Sequence, residues 1–322
     1  MNKKQSIPKL DFSKIRTLPL SKRPCKVKRE DYGKKAASGK SFRAFWEDLP
    51  SQLKVPDLKA LVDVWARSIR AEKPVIALCG AHVLKVGLGP LLIQAMSEGW
   101  IHALALNGAG AVHDFELAYQ GATSEDVARG LEDGSFGMAE ETGQYVNSAA
   151  RRAQEEGLGF GRALAEEIER LKLQYARESV ICEGVRLGAS VTIHVAIGTD
   201  IVHQHPTADG AAIGAATYRD FQKLCEVVSE LRGGGLVLNF GSAVILPEVF
   251  LKALTVARNL CSGVDGFSAA NFDMIPQYRP RVNVVERPTR GQGRGFQFTG
   301  HHEIMIPLVF QALAEELSTG AT

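Results

Sequence analysis

The chain is poor in cysteine, and what it has is unpaired in sequence. Five cysteines (Cys25, Cys79, Cys182, Cys225 and Cys261) are spread through 322 residues, odd in number and without a Cys-x-x-Cys pair. That spacing excludes a disulfide scaffold and a zinc ribbon, and it reads as a reducing, cytoplasmic compartment. Three of the five lie in apolar or helical stretches, where small buried thiols are common. Long apolar runs are also missing. No stretch approaches the ~18 uninterrupted apolar residues of a membrane span, so no membrane partner is expected. The charged amino terminus lacks the apolar segment of a secretory signal, and Asp11, Glu30 and Asp31 weaken a transit-peptide reading. Aromatic residues make up only 7% of the chain, but 45% is hydrophobic, enough for a full core without staples.

An excess of one charge is missing overall: 38 basic residues face 36 acidic ones. The balance conceals an asymmetry, because residues 1–40 hold thirteen Lys or Arg against three acids, a net +10, which leaves −8 for the other 282 residues. A basic arm on a mildly acidic body argues against nucleic acid as a partner. The expected organisation is an arm over 1–40 followed by one α/β domain over 41–322.

Apolar residues recur at helical spacing from Phe45 to Ile69, after which strand-like runs alternate with helical ones. Strands are expected at Pro74–Cys79, Ile101–Leu106, Ser190–Ile197, Gly235–Phe240, Gly266–Phe272 and Arg281–Val285. Between them lie helical runs such as Tyr218–Leu231, Pro247–Leu260 and a long amphipathic stretch from Ser148 to Arg177. Thr123-Ser-Glu-Asp126 offers a helix start. Apolar strands alternating with helices predict βαβ units, hence a Rossmann-like, mostly parallel sheet with helices on both faces. In such folds ligands bind beyond the carboxyl ends of the strands.

Two strand-to-helix junctions suit a dinucleotide: Gly80-Ala81-His82 and Asn107-Gly108-Ala109-Gly110, where small residues let backbone N–H groups approach a pyrophosphate. Neither is a GxGxxG fingerprint, and plain tight turns would look the same. Six of the eight histidines fall at or near strand ends: His82, His113, His203, His205, His301 and His302. Asp200, His203 and His205 share one loop, and His301, His302 and Glu303 precede an apolar helix. Such a cluster can supply general acids and bases, and His203, His205 and His301 could alternatively ligate a metal. The bland reading is that each imidazole bonds loop backbone. Arginines cluster at 279–294, and Arg290 and Arg294 could clamp an anionic group, or simply lie on a surface loop. There is no nucleophile elbow or Walker loop.

The order Lys73–Gly87, a helix, then Ile101–Asp114 resembles the NAD-binding first half of deoxyhypusine synthase. Ile193–Asp200, ending in Gly-Thr-Asp, and Gly234–Gly241 are similar to later strands of that family. The resemblance runs over roughly residues 70–305, mainly as an order of elements. It implies a Rossmann-like domain, bound NAD, a homotetramer built from dimers with sites at the interface, and an N-terminal extension packed on a neighbour. Asn107, Gly108, Ala109 and Gly110 fall on the family's cofactor turn, Thr199 and Asp200 on its ribose-binding element, Gly241 and Ser242 on its glycine cluster.

The substrate positions depart from the family. Its paired glutamates become Val112 and His113, with the following acid kept as Asp114; its polyamine-binding Asp falls near His205. Its catalytic Lys falls within Gly300–Glu303, where no Lys stands. Imidazole and carboxylate cannot form an imine, so deoxyhypusine synthesis itself is not expected. The expected function is an NAD-dependent transferase or lyase that transiently oxidises a small, anionic substrate. His113, Asp114, His205, His301, His302 and Glu303 are the candidate catalytic groups, and His203, Arg290 and Arg294 the substrate-binding ones. The alternatives are a His/Asp metal-dependent hydrolase or lyase on the same fold, and a non-catalytic scaffold binding RNA or protein through its basic arm.

Overall fold

A computed structural model describes residues 8–319 of the chain. Six strands form one sheet: β1 (Val75–Cys79), β2 (Ala103–Asn107), β3 (Ser190–His194), β4 (Leu236–Phe240), β5 (Ser268–Asp273) and β6 (Gly295–Thr299). All pair in parallel, in the order β3-β2-β1-β4-β5-β6. The sheet is the α/β, Rossmann-like architecture expected from the strand–helix alternation, with its switch point between β1 and β4.

The helices are α1 (Phe42–Glu47), α2 (Lys54–Arg70), α3 (His82–Lys85), α4 (Gly89–Ser97), α5 (Gly108–Gln120), α6 (Val127–Asp133) and α7 (Glu140–Glu156). They continue as α8 (Phe160–Arg170), α9 (Val180–Arg186), α10 (Gly210–Ser229), α11 (Ile245–Leu260) and α12 (His302–Ser318). Every residue of β1 and β4 is buried, because helices cover both faces. On one face Ala77, Leu104, Leu238 and Phe272 pack with Trp65 of α2 and Phe310 of α12. On the other, Ile76, Leu78, Val237 and Ala269 pack with Leu224 of α10 and Phe250 of α11.

The edge at β3 is sealed. Asp220 of α10 accepts the outward Ile193 N–H (2.7 Å) and the Gly161 N–H of α8 (2.9 Å), and Thr217 bonds both Ile193 O and Val195 N. An unsealed edge would be a template for another strand.

Three local expectations are corrected. Arg281–Val285 is not a strand but part of a wide helical turn over Pro280–Glu286, closed by the Arg287 N–H on Val282 O. Its β-branched residues read as strand, yet Pro280 starts a helix well, and Val282, Val284 and Val285 are buried by tertiary packing. The sixth strand lies instead at Gly295–Thr299, within what read as a Gly/Arg loop. The run Ser148–Arg177 is broken at Gly157, whose φ of +72° ends α7 in the left-handed region. The helix start near Thr123 is capped by Asp126, which accepts from the Arg129 N–H.

Residues 8–40 form only three single-turn helices and expose Leu10, Phe12, Ile15, Leu18 and Leu20. The arm meets the body where the Ser51 N–H bonds Asp31 O and Lys34 and Lys40 pair with Asp48. Among the described residues, no helix is long and apolar enough to cross a membrane.

Candidate functional site

The carboxyl edge of the sheet holds two groups of polar residues, and α3 contributes to both, through His82 and Lys85. At the β1/β4 switch point the two backbones nearly touch: a Cβ on Gly80 would overlap the Gly241 carbonyl. Gly241 (φ +67°) also leaves room for the ring of His302, since a Cβ there would lie 2.6 Å from its Cε1. These glycines are required by close approach within the protein, Gly80 to the Gly241 backbone and Gly241 to the His302 ring.

The second group lines a cavity of about 220 Å³ beyond β2 and β3, formed by Lys85, Ala109, Val112, His113, Glu116, Glu125, Thr199 and Asp200, among others. His113 Nδ1 lies 2.6 Å from Thr123 Oγ1, and the Thr123 hydroxyl donates to Glu116. Thr142 also donates to Glu116 (3.3 Å). Thr123 has one proton and gives it to Glu116, so its oxygen accepts from His113. That fixes the His113 proton on Nδ1 and leaves Nε2 as a lone-pair base. Burial and the charge of Lys85 push His113 down to about 4, so it stays neutral at neutral pH.

Asp200 sits against the first turn of α5. A Cβ on Gly108 would overlap Asp200 Oδ2, so only glycine admits the carboxylate here. Asn107 caps the same helix through the Gly110 N–H (3.1 Å). The Asn107–Gly110 junction is therefore a helix start already engaged by protein oxygens, not an open phosphate loop. Burial raises Asp200 to about 6, against opposing hydrogen bonds from Thr199 and Ala109. Its Oδ2 has no hydrogen-bond partner among the described residues, although the residue is only 7% exposed; the His203 Nε2–H stands 4.0 Å away, beyond hydrogen-bond reach. A buried acceptor without a donor is costly, and marks a place for one.

The other residues singled out from the sequence are placed elsewhere or turned away. Asp114 points from the opposite side of α5 and accepts from the Ser179 hydroxyl and the Val180 and Ile181 N–H groups, capping α9. His203 accepts the Gly198 and Asp200 N–H groups on Nδ1, which shapes its own loop. His205 bonds Gly137 O (2.7 Å) and packs on Gly143 of α7. The Ser242 hydroxyl accepts the Leu246 N–H at the start of α11. His301 and Glu303 are exposed beside one another, 3.7 Å apart. Arg294 pairs with Asp57 (3.1 Å) at the amino end of β6, and the exposed Arg290 precedes it there, so neither arginine reaches the cavity. Instead Asp200, Glu116 and Glu125 outnumber Lys85, which removes the basis for an anion-binding pocket. Among the described residues no three His, Cys, Asp or Glu side chains converge as a metal requires, so the set His203, His205 and His301 is not brought together.

Lys85, Glu116, Thr123 and Thr142 escaped the sequence reading. Glu116 had a signal, because it follows His113 by three residues and shares its helix face. Thr123 did not: it read as a helix cap, and only the return of the chain places it against α5.

No protein-family model and no curated protein matches the chain. Solved structures share its fold. AgrE, in a ternary complex with ornithine and NAD+, aligns with a TM-score of 0.53 and 16% identity, over 82% of this chain and 33% of that one. ArgZ, an arginine dihydrolase from the ornithine–ammonia cycle in cyanobacteria, aligns at 0.50 and 16%, over 83% and 34%. The chain thus spans about a third of the length of those two proteins. A candidate deoxyhypusine synthase from Entamoeba histolytica aligns at 0.50 and 10%, over 87% of this chain and 95% of its own. At these identities the likeness is one of fold.

Proposed function

We propose that the chain is an NAD-dependent enzyme on a deoxyhypusine-synthase-like fold, of transferase or lyase type, that oxidises a small substrate transiently and then returns the hydride. The observation that carries this is Asp200: a buried carboxylate with an unpartnered oxygen, lining a cavity at the carboxyl edge of a 3-2-1-4-5-6 sheet. The AgrE complex with NAD+ on the same fold supports the cofactor.

The residues present fit a dinucleotide in part of its length. A cavity of about 220 Å³ takes a sugar or base portion rather than the whole molecule. Asp200 would hold a ribose hydroxyl after a small rotation of its carboxylate away from Gly108, against which Oδ2 is now buried. The Gly80–Ala81–His82 turn and Gly241 are the places where backbone could approach the pyrophosphate. When bound, the cofactor supplies the hydride acceptor; the chain supplies the proton chemistry.

His113 is suited to that task. Its Nε2 is held as a base by the Thr123–Glu116 pair, in the way an orienting carboxylate fixes an imidazole in other sites. Oxidation of a carbon bearing a hydroxyl or amine must release a proton, and Nε2 of His113 would take it. The acid-rich lining replaces the anionic substrate expected from the sequence with one that can donate hydrogen bonds. The exposed apolar residues of the arm support its packing on a neighbouring copy within a homotetramer.

Mass spectrometry of small molecules released from purified, denatured protein tests the reading. NAD(H) near one equivalent per chain is expected. Its absence, together with no heat of binding for NAD+ at millimolar concentration, would overturn it.

A further inference from the structure

The switch point holds a pair of imidazoles that the His113 site does not use. His82, in α3, is partly exposed, and its ring lies 5.6 Å from that of His302, centroid to centroid, at a tilt of 59°. His302 is 1% exposed. Its Nε2 approaches the Phe272 carbonyl at 3.3 Å, and a carbonyl can only accept, so Nε2 carries the proton. Nδ1 is left as a lone pair, inaccessible to solvent and without a partner among the described residues.

We infer that His82 and His302 act together, His82 meeting the ligand and His302 positioning it through its buried Nδ1. This rests on a ligand occupying the carboxyl edge, as the NAD reading requires. No water-sized group reaches Nδ1, so a ligand cannot use it directly; a small rotation of His82 brings a ring N–H onto it. His82 then presents its other nitrogen, unprotonated, to the crevice. A proton taken from the ligand at that nitrogen leaves an imidazolium whose inner N–H stays bonded to His302. The groups facing His302 are His82 from α3, Asp273 from β5 and Glu303 from its own helix. Burial and its place at the start of α12 keep it neutral, a hydrogen-bond acceptor rather than a second cation.

Nitrogen-15 NMR of ring-labelled histidines tests the pair in the intact chain, free and with NAD+. Wild-type His302 should carry its proton on Nε2 in both states, and His82 should show a single tautomer in at least one of them. His302→Asn places an amide oxygen near the Nδ1 position and should keep the single His82 tautomer. His302→Gln keeps the contact to Phe272 but not the acceptor, and should give a tautomer mixture. A His302 proton on Nδ1, or His82 tautomers that are identical in all three proteins, would overturn the inference. Calorimetry of NAD+ on the same samples judges the cofactor reading separately, and the wild-type spectra decide even where a variant does not fold.

Discussion

Asp114 within α5 and Asp200 against its first turn are both buried, and burial raises each to about 6, yet they do different work. Asp114 receives three hydrogen bonds and fastens the start of α9. Asp200 lines a cavity and keeps an unpartnered oxygen buried against Gly108. A perturbed carboxyl therefore identifies burial, and only its hydrogen-bond account separates a fastening from a binding group. The histidines differ in what they bond rather than in how many nitrogens they use: His203 and His205 bond loop backbone through Nδ1 and Nε2, His113 bonds the Thr123 hydroxyl through Nδ1, and His302 bonds Phe272 O through Nε2 and keeps a buried, unpartnered Nδ1.

The largest effect should come from Asp114→Ala, which strands three buried donors. A loss of about 3 kcal/mol in urea unfolding is expected. A loss below about 1 kcal/mol would remove the distinction between the two acids.

Asp200→Asn should do the reverse. The folded-state value of about 6 lies above the ordinary 3.8, so the folded protein binds more protons between these limits. This group's contribution to stability therefore falls as pH rises from about 4 to about 6 and is flat beyond. Asp200→Asn lacks that loss, so its stability relative to wild type should climb over the same window. Paired urea melts across pH measure it, and parallel curves would show that the carboxylate is not buried as described.

A smaller effect sharpens the histidine side of the comparison. The His113 titration followed by NMR should have its midpoint near 4. Lys85→Met should move it upward while leaving it below the ordinary 6.5, since burial is the larger cause. No movement would place Lys85 away from the ring.

Much of the fold was legible because β1, β2 and β4 at the centre of the sheet are short apolar runs each followed by a glycine, a pattern that suits buried parallel strands leading into tight turns. β6 was not: an edge strand with exposed Gly295 and Thr299 carries half the apolar signal, while Val282, Val284 and Val285 imitated one nearby. At the site, Gly80, Gly108 and Gly241 stood out in the sequence as cofactor-binding glycines, whereas in the fold each makes room for protein: the Gly241 carbonyl, Asp200 and the His302 ring. The direction of a ring was not legible. Asp114 read as a site residue because position along the chain does not say which side of a helix a residue faces, and His205 because its loop carries no sign of the Gly137 carbonyl that the ring bonds. Thr123 meets His113 and Glu116 only through the path of the chain between α5 and α6.

The account depends most on Asp200 as a cofactor-binding acid. Calorimetric titration of NAD+ into wild type and Asp200→Asn, at a pH where both are folded, tests it directly. One site per chain in wild type, weakened roughly tenfold to a hundredfold in a variant at least as stable, is the expected result. Equal affinity in the two proteins, or no binding to either, would contradict it.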